Sequence, residues 1–571
     1  MKRALAAVAA LLAVTAVLAV LSLPPSTLVL EGAGDGAVPG VVHVHTNRSD
    51  GLSSADEIAA AAARAGLSFV IFTDHGNAAR TPDPPAYRSG VLCLDAVEIS
   101  TDGGHYVALG LPPAPYPLGG DARGVVEDVR RLGGVGIAAH PDSTDADLKW
   151  DDWSLPVDGV EILNLDTVWR RRLFEPGWRP RWQLIQALLA YPIRSEEAIG
   201  NLLSVSAENA RNYGELLNRQ DAAVIVAVDA HSKVTLGTAD PGDNRWALPF
   251  PGYETVFRTL QVRLLPEQPL TGDATTDAGL VVDAIRAGRL YGANVAVAGP
   301  PVFEFSAERP GGSVGQGEVL SGGAPATLRV RSNAPAGFET LVFAGSEILA
   351  STRDQSIDVG ISGETEEYRV EIRAADRPGQ PIWIVSNPIY VRSDEITSRP
   401  LPPLSIPSDQ AVLFGPNDRG VWRVESDPGS RAQLTVDSDA NPIRMRLEYG
   451  LAGGEPNNQF AAIVADLPDG VASYDRIALR VRSQSPARLS VQARAAVNES
   501  RDDRWARSIH VDDRWQDITI ALSDMRPIGQ TRTPTPPAGS IHSIVFALEM
   551  TNTAPGAAGV IEIERVGLQG P

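Results

Sequence analysis

Residues 41–51 read VVHVHTNRSDG, a β-branched run that carries His43 and His45 and then, past a short polar turn, Asp50. Side chains two apart on a strand share one face, with Cα atoms about 6.6 Å apart. The pair therefore reads as two imidazoles able to converge on one point. An isolated H-x-H is ordinary strand packing, and a lone histidine is more often structural than a ligand. The context here is different. The chain holds eight histidines, six of them between positions 43 and 231. Later apolar runs end in the same way: FVIFT in Asp74-His75, LDAV in Glu98, VGIAA in His140, and VIVAV in Asp229-Ala230-His231. Burying several imidazoles and carboxylates without partners is costly, and a metal cluster removes that cost. Asp229 and His231 repeat the two-residue spacing of His43 and His45.

From position 41 to about 298, short apolar runs alternate with Ala-rich helical ones such as SSADEIAAAAARAG and DARGVVEDVRRLGG. Such alternation predicts parallel βαβ units, in an open sheet or a barrel, whose strand ends gather the functional loops. After Gly299-Pro300-Pro301 the pattern changes to period-two segments (ATLRVRS, TLVFAG, EYRVEIRAA) between turns, which predicts a β-sandwich to about Arg392. A Pro-rich joint, SRPLPPLSIPSD, precedes a second all-β block containing IALRVRS, QDITIAL and IVFALEM, read as a jelly roll. A length of 571 residues is too great for one core. The domain reading is 1–23 signal peptide or signal anchor, 24–40 linker, 41–300 catalytic barrel, 301–395 Ig-like β-sandwich, 396–410 linker, and 411–571 jelly-roll β-sandwich of carbohydrate-binding type.

The motifs HVHTNRSDG, TDHG, VEIS with His105 in GGHYVALGL, AAHPD and VDAH, in this order, resemble those of the PHP (polymerase and histidinol phosphatase) superfamily of metal-dependent hydrolases. The resemblance covers roughly 260 residues by the spacing of the motifs. It implies a distorted (β/α)7 barrel holding two or three divalent ions. Carried over position by position, it implies the ligands His43, His45, Asp50, His75, Glu98, His105, His140, Asp229 and His231. Asp50 stands where some branches have histidine. The barrel followed by a β-sandwich is similar to the exported, carbaryl-hydrolase-type branch, which does not fix the substrate.

Cys93 is the sole cysteine, which excludes an intramolecular disulfide and a thiolate zinc cluster and reads as core packing. An N/O donor set suits manganese, zinc or iron, and such ions acidify a bound water. Asp229, Glu98 and His140 are the expected catalytic residues. No G-x-S-x-G elbow or P-loop accompanies them. The expected activity is therefore hydrolysis, of a phosphate ester first. A carboxylic or carbamic ester or an amide is the alternative, and a non-catalytic surface-binding protein is the third reading.

Partners follow from charge and from the termini. A formal net charge of −20 argues against general nucleic-acid binding. Within this acidic chain, VWRRRLFEPGWRPRWQ is basic and aromatic. Arg170, Arg171 and Arg172, with Lys233 beyond His231, are candidates to bind a substrate anion or an anionic lipid surface, against the plainer reading of solvated charge. Residues 4–23 form an uncharged apolar run behind Lys2-Arg3. The run is long enough to span a bilayer and predicts either a membrane anchor with an exported catalytic domain or a cleaved signal of a secreted or periplasmic protein. Trp422, Trp505 and Trp515 are candidates for stacking on carbohydrate, though alternating tryptophans more often pack in a core. His510 and His542 read as structural or surface residues.

Overall fold

Strand β1 (Val38–Val44) leads straight into the histidine motif and is followed by helix α1 (Ala55–Arg64). The helix begins at Ser54, whose side chain and that of Glu57 form a reciprocal capping box, and Gly66 just past its end has φ +75°. The computed structural model describes residues 17, 20, 23–31, 36–235, 246–364, 366–392, 410–415, 421–454, 459–467, 471, 473–498 and 501–570. The chain forms two units, one of residues 1–76, 82–111 and 133–399, the other of 77–81, 112–132 and 400–571.

In the first unit, β1 pairs in parallel with β2 (Phe69–Phe72), and β2 with β3 (Val91–Asp95). Next come β4 (Val97–Thr101), β5 (Gly104–Leu109), β6 (Val135–Ala138) and β7 (Gly159–Asn164), then helices α2 (Leu165–Arg171), α3 (Arg179–Ala190) and α4 (Ala207–Leu217), and strand β8 (Ala223–Ala227). These strands form a separate five-stranded sheet in the order β8-β7-β6-β5-β4. Strand β9 (Leu260–Leu264) returns to the other side of β1, antiparallel, and β10 (Leu290–Asn294) pairs antiparallel with β9.

This arrangement overturns the expected (β/α)7 barrel. The strands fall into two sheets rather than one closed ring, and β4, β5, β9 and β10 all make antiparallel pairs. The cause is legible in retrospect. Only a short turn through Asp102 and Gly103 separates β4 from β5, and parallel neighbours need a crossover of a dozen residues or more. Strand accounts for 42% of the described residues and helix for 16%, so β-structure dominates. Two isolated parallel bridges, Val44 to Ala230 and His75 to Glu98, link the C-terminal ends of β1 and β2 to the two edge strands, β8 and β4, of the five-stranded sheet.

The separate Ig-like domain is corrected as well. Strand β11 (Ile382–Ser386) pairs antiparallel with β10, so one sheet of this sandwich continues the sheet of β1. Its opposing sheet has four antiparallel strands, centred on Phe303–Arg309 and Ala326–Ser332. The shared core runs from Tyr291 and Ala293 of β10 to Phe303, Leu328, Val370 and Trp383. The Asn387 side chain ties the segments together, accepting from Val224 N at 2.8 Å and donating to Val224 O at 2.8 Å and Leu290 O at 3.0 Å. Residues 28–29, read as linker, pair with residues 298–299.

The second unit contains two six-stranded sheets, a β-sandwich as the alternating pattern predicts. Both inner faces feed one core that includes Leu447, Ile477 and Ile561 from one sheet and Ile463, Val491, Trp505 and Phe546 from the other. The 112–132 segment belongs to this unit. Arg488, buried, donates to Asp128 Oδ2 at 2.8 Å and to Gly124 O at 2.7 Å. The proline-rich joint, apart from residue 410, lies outside the described residues.

Candidate metal centre

The bridge between Val44 and Ala230 is the geometric origin of the site. His45 N donates to Ala230 O at 3.0 Å, and Ala230 N donates to His43 O at 3.2 Å. This aligns the H-x-H end of β1 with the D-x-H end of β8. The shared face of His43 and His45 is not produced by regular alternation. Pairing of β1 with β2 shifts register between Val41 and Val44, and His43 has φ 67°. A bulge therefore turns His43 inward. His140 (φ 28°) and Asp229 (φ 47°) also hold left-handed backbone. Such strain in non-glycine residues clusters at functional sites.

All nine expected ligands come together. Four groups of donor atoms lie mutually within 4.8 Å: His45, Asp50, His75 and His231; His43, Glu98 and His140; His43, His45 and Asp229; and His75, Glu98 and His105. Glu98 is the hub. Its Oε2 is 3.2–3.3 Å from ring nitrogens of His43, His45 and His75, while Oε1 meets His105 at 2.7 Å and His140 at 2.8 Å. Asp229 Oδ1 lies 3.4 Å from His43 and 3.3 Å from His45. Asp50, reached through the turn after β1, has Oδ2 3.2 Å from His231 Nε2 and 3.6 Å from His75 Nε2.

The donor set fits divalent cations. His43 Nε2, His45 Nε2 and His140 Nδ1 are buried and have no hydrogen-bond partner among the described residues. Native proteins seldom leave buried polar atoms in that state. Electrostatics agree. Burial alone would lower the His43 pKa, but the carboxylates of Glu161, Asp229 and Glu98 overcome it and hold the imidazole well above its ordinary range. Burial opposes ionisation of Glu98 and Asp229, yet the surrounding imidazoles, His43 foremost, keep both carboxyls well below theirs. The cluster is thus a concentration of paired charge that divalent ions can replace.

Sequence reasoning missed the residues that brace the ligands. Glu161 on β7 is fully buried and holds His43 Nδ1 at 2.5 Å. Asp74 accepts from Thr46 N at 2.8 Å, Thr46 Oγ1 at 2.7 Å and Ser49 Oγ at 2.6 Å, fixing the turn that carries Asp50. Tyr253 Oη reaches His45 O at 2.8 Å and His231 O at 3.0 Å. The one available signal was a charged residue within the apolar run GVEILN.

An open cavity of about 870 Å³ leads to the cluster. Leu148, Trp169, Leu173, Phe174 and Val234 supply an apolar wall, and Asp145, Asp166, Arg170 and Lys233 line it too. The expected cationic mouth does not form as predicted. Arg171 pairs with Asp142 at 2.5 Å and Glu175 at 3.0 Å, and Arg172 with Glu175 at 3.0 Å. Arg170 reaches the cavity with its guanidinium 2.6 Å from Asp166. Cys93 is buried and 3.7 Å from Val91 O, away from the ligands.

In the second unit, Trp505 is fully buried, and Trp422 packs on the core with its Nε1 donating to Leu413 O at 3.2 Å. Trp515 is half-buried beneath Arg482, at 4.7 Å. His510 Nδ1 lies 2.7 Å from the Tyr116 hydroxyl, and His542 Nε2 lies 3.1 Å from Asp502 Oδ1.

No family model matches the chain, and no curated protein matches it. Among solved structures, it is similar to the family 11 carbohydrate-binding module of the cellulosomal cellulase Lic26A-Cel5E of Clostridium thermocellum, with 22% identity and a TM-score of 0.24 over 29% of this chain and 96% of that one. It is also similar to a family 30 carbohydrate-binding module, with 12% identity and a TM-score of 0.23 over 28% of this chain and 99% of that one. Likeness at these scores carries no argument about this chain's activity.

One further expectation is corrected. No helix of the described residues is long and apolar enough to cross a membrane. Residues 4–23, on which the anchor reading rested, lie outside the described residues except for 17, 20 and 23. The matched structures do not bear on the PHP resemblance, and the three arginines that the phosphate-ester expectation invoked, Arg170, Arg171 and Arg172, are each paired with a carboxylate.

Proposed function

We propose that the first unit is a metal-dependent hydrolase acting on a carboxylic or carbamic ester or an amide. The observation that carries this reading is the convergence of nine N/O donors around buried imidazole nitrogens that lack hydrogen bonds. Divalent ions bound there supply Lewis-acid activation of water and of the scissile carbonyl. His45, Asp50, His75 and His231 would hold one ion and His43, Glu98 and His140 a second, with Asp229 grouped with His43 and His45, and His105 with His75 and Glu98. Asp229 Oδ1 lies within 3.5 Å of three imidazoles, which commits it to holding ions rather than moving protons. Leu148, Trp169, Leu173 and Phe174 offer packing to an apolar acyl or alcohol group.

Metal analysis of the purified full chain, with a panel of naphthyl acetate, naphthyl carbamate, an anilide and nitrophenyl phosphate, tests this reading. Bound divalent metal, with turnover of the first three that is lost in H43A/H45A, is the expected result. Absence of metal, or equal turnover by the double variant, overturns it.

A second reading concerns the second unit. Trp515 is half-buried with Arg482 over its ring, and carbohydrate is the proposed partner of this unit. Binding of the chain to β-glucans that W515A abolishes supports it. Equal retention of both proteins on the polysaccharide defeats it.

A further inference from the structure

We infer that Glu161 is a positioning residue that orients two ligands of the proposed centre at once, the side chain of His43 and the backbone of His140. The inference rests on the metal-dependent reading above and adds a residue outside the nine donors. The Glu161 carboxylate is fully buried, and its two oxygens do different jobs. Oε1 lies 2.5 Å from His43 Nδ1. The carboxylate acceptor at Nδ1 turns Nε2, the nitrogen left for an ion, toward Glu98 and Asp229 at 3.3 and 3.4 Å. Oε2 accepts from His140 N at 2.8 Å and from Asn164 Nδ2 at 2.9 Å.

These contacts fall on strained backbone. His43 and His140 both have positive φ, a conformation that persists only where surrounding contacts impose it. A single carboxylate between them supplies part of that constraint from outside the cluster. Strand β7 is itself irregular at this point, since its pairing with β8 passes from Glu161 opposite Ile225 to Leu163 opposite Val226. Asn164 extends the brace. Its Nδ2 is also 3.4 Å from Asp229 Oδ2, and its Oδ1 caps α2 by accepting from Thr167 N at 3.0 Å. Helix α2 carries Trp169 and Arg170 of the cavity wall, so one hydrogen-bonded chain runs from the cavity wall to His43. Carboxylate partners of this kind set ligand orientation, and losing one typically weakens metal binding about 10–100-fold.

The test is zinc affinity, by chelator competition, of wild type, E161Q and H75A, together with the histidine ring 15N spectrum of the zinc-loaded wild-type chain. E161Q is expected to weaken one class of bound zinc about 10–100-fold while leaving the class that H75A removes. The wild-type spectrum is expected to show a slowly exchanging proton on His43 Nδ1. A folded E161Q with every zinc affinity unchanged overturns the inference. So does a zinc-loaded wild type whose His43 Nδ1 carries no proton, a measurement that stands if E161Q fails to fold. If wild type binds no zinc, manganese or iron, the metal-dependent reading itself falls, a result distinct from the other two.

Discussion

The imidazole rings of His45 and His231 stack, with centroids 4.1 Å apart and planes inclined by 11°. The two residues are remote in the sequence and follow strands of different sheets, β1 and β8. Their alignment is set by the short parallel bridge between Val44 and Ala230, and Tyr253 caps both backbone carbonyls with one hydroxyl.

That alignment leaves no room at Gly51. A Cβ there would lie 2.2 Å from His45 O and 2.8 Å from Tyr253 Oη. Gly51→Ala should cost about 1–3 kcal/mol as overpacking and lower metal occupancy through displacement of His45. Thermal melts of the metal-free and metal-loaded variant check both parts. An unchanged melting temperature would refute the packing argument.

Asp50 contributes to one group of donors alone, with His45, His75 and His231. Burial opposes its ionisation, yet hydrogen bonds from His231 and His75 hold the carboxyl far below its usual range. Asp50→Asn keeps the shape and removes the charge. It should reduce the metal content by one ion per chain and spare the ion held by His43, Glu98 and His140. Elemental analysis after gel filtration counts the ions.

Arg488 and Asp128 form a buried pair in the second unit. Arg488→Ala removes the buried partner of Asp128 Oδ2 while Arg131 and the Tyr116 hydroxyl keep Oδ1, and should destabilise this unit by about 1–3 kcal/mol. Arg423→Ala, at an ion pair with Asp466 in which both side chains are at least a third exposed, should cost under about 1 kcal/mol. Urea unfolding of the two variants measures the difference. Comparable losses would count against burial as the deciding factor.

His510 is expected to give the second unit an acid-sensitive stability. Burial first, then the nearby charge of Arg131, lowers its pKa from 6.5 to about 4, against the opposing effect of Asp128. The folded state therefore disfavours the proton that the unfolded chain accepts. The contribution is fully present above about pH 6.5 and is lost as pH falls toward about 4. His510→Gln should flatten the stability profile in that window. A wild-type profile that is level from pH 7 to pH 4 would contradict this.

The sequence alone marked the candidate chemistry-bearing residues and where β-structure takes over. Histidine and carboxylate at the ends of successive apolar runs marked most of the candidate donors, the family resemblance implied the full set of nine, and the period-two segments announced the sandwich of the second unit, because residue type and local periodicity are properties of single segments. The tertiary structure decided how those segments pair. The hairpin between β4 and β5 and the return of β9 break the expected ring into two sheets, and β10 carries the sheet on into the second sandwich. The bulge at His43, the partners of Arg171 and Arg172, and the clamp from Glu161 all depend on residues remote in sequence. Pairing register and buried hydrogen bonds arise between segments, and no local pattern encodes which distant strand will supply the partner.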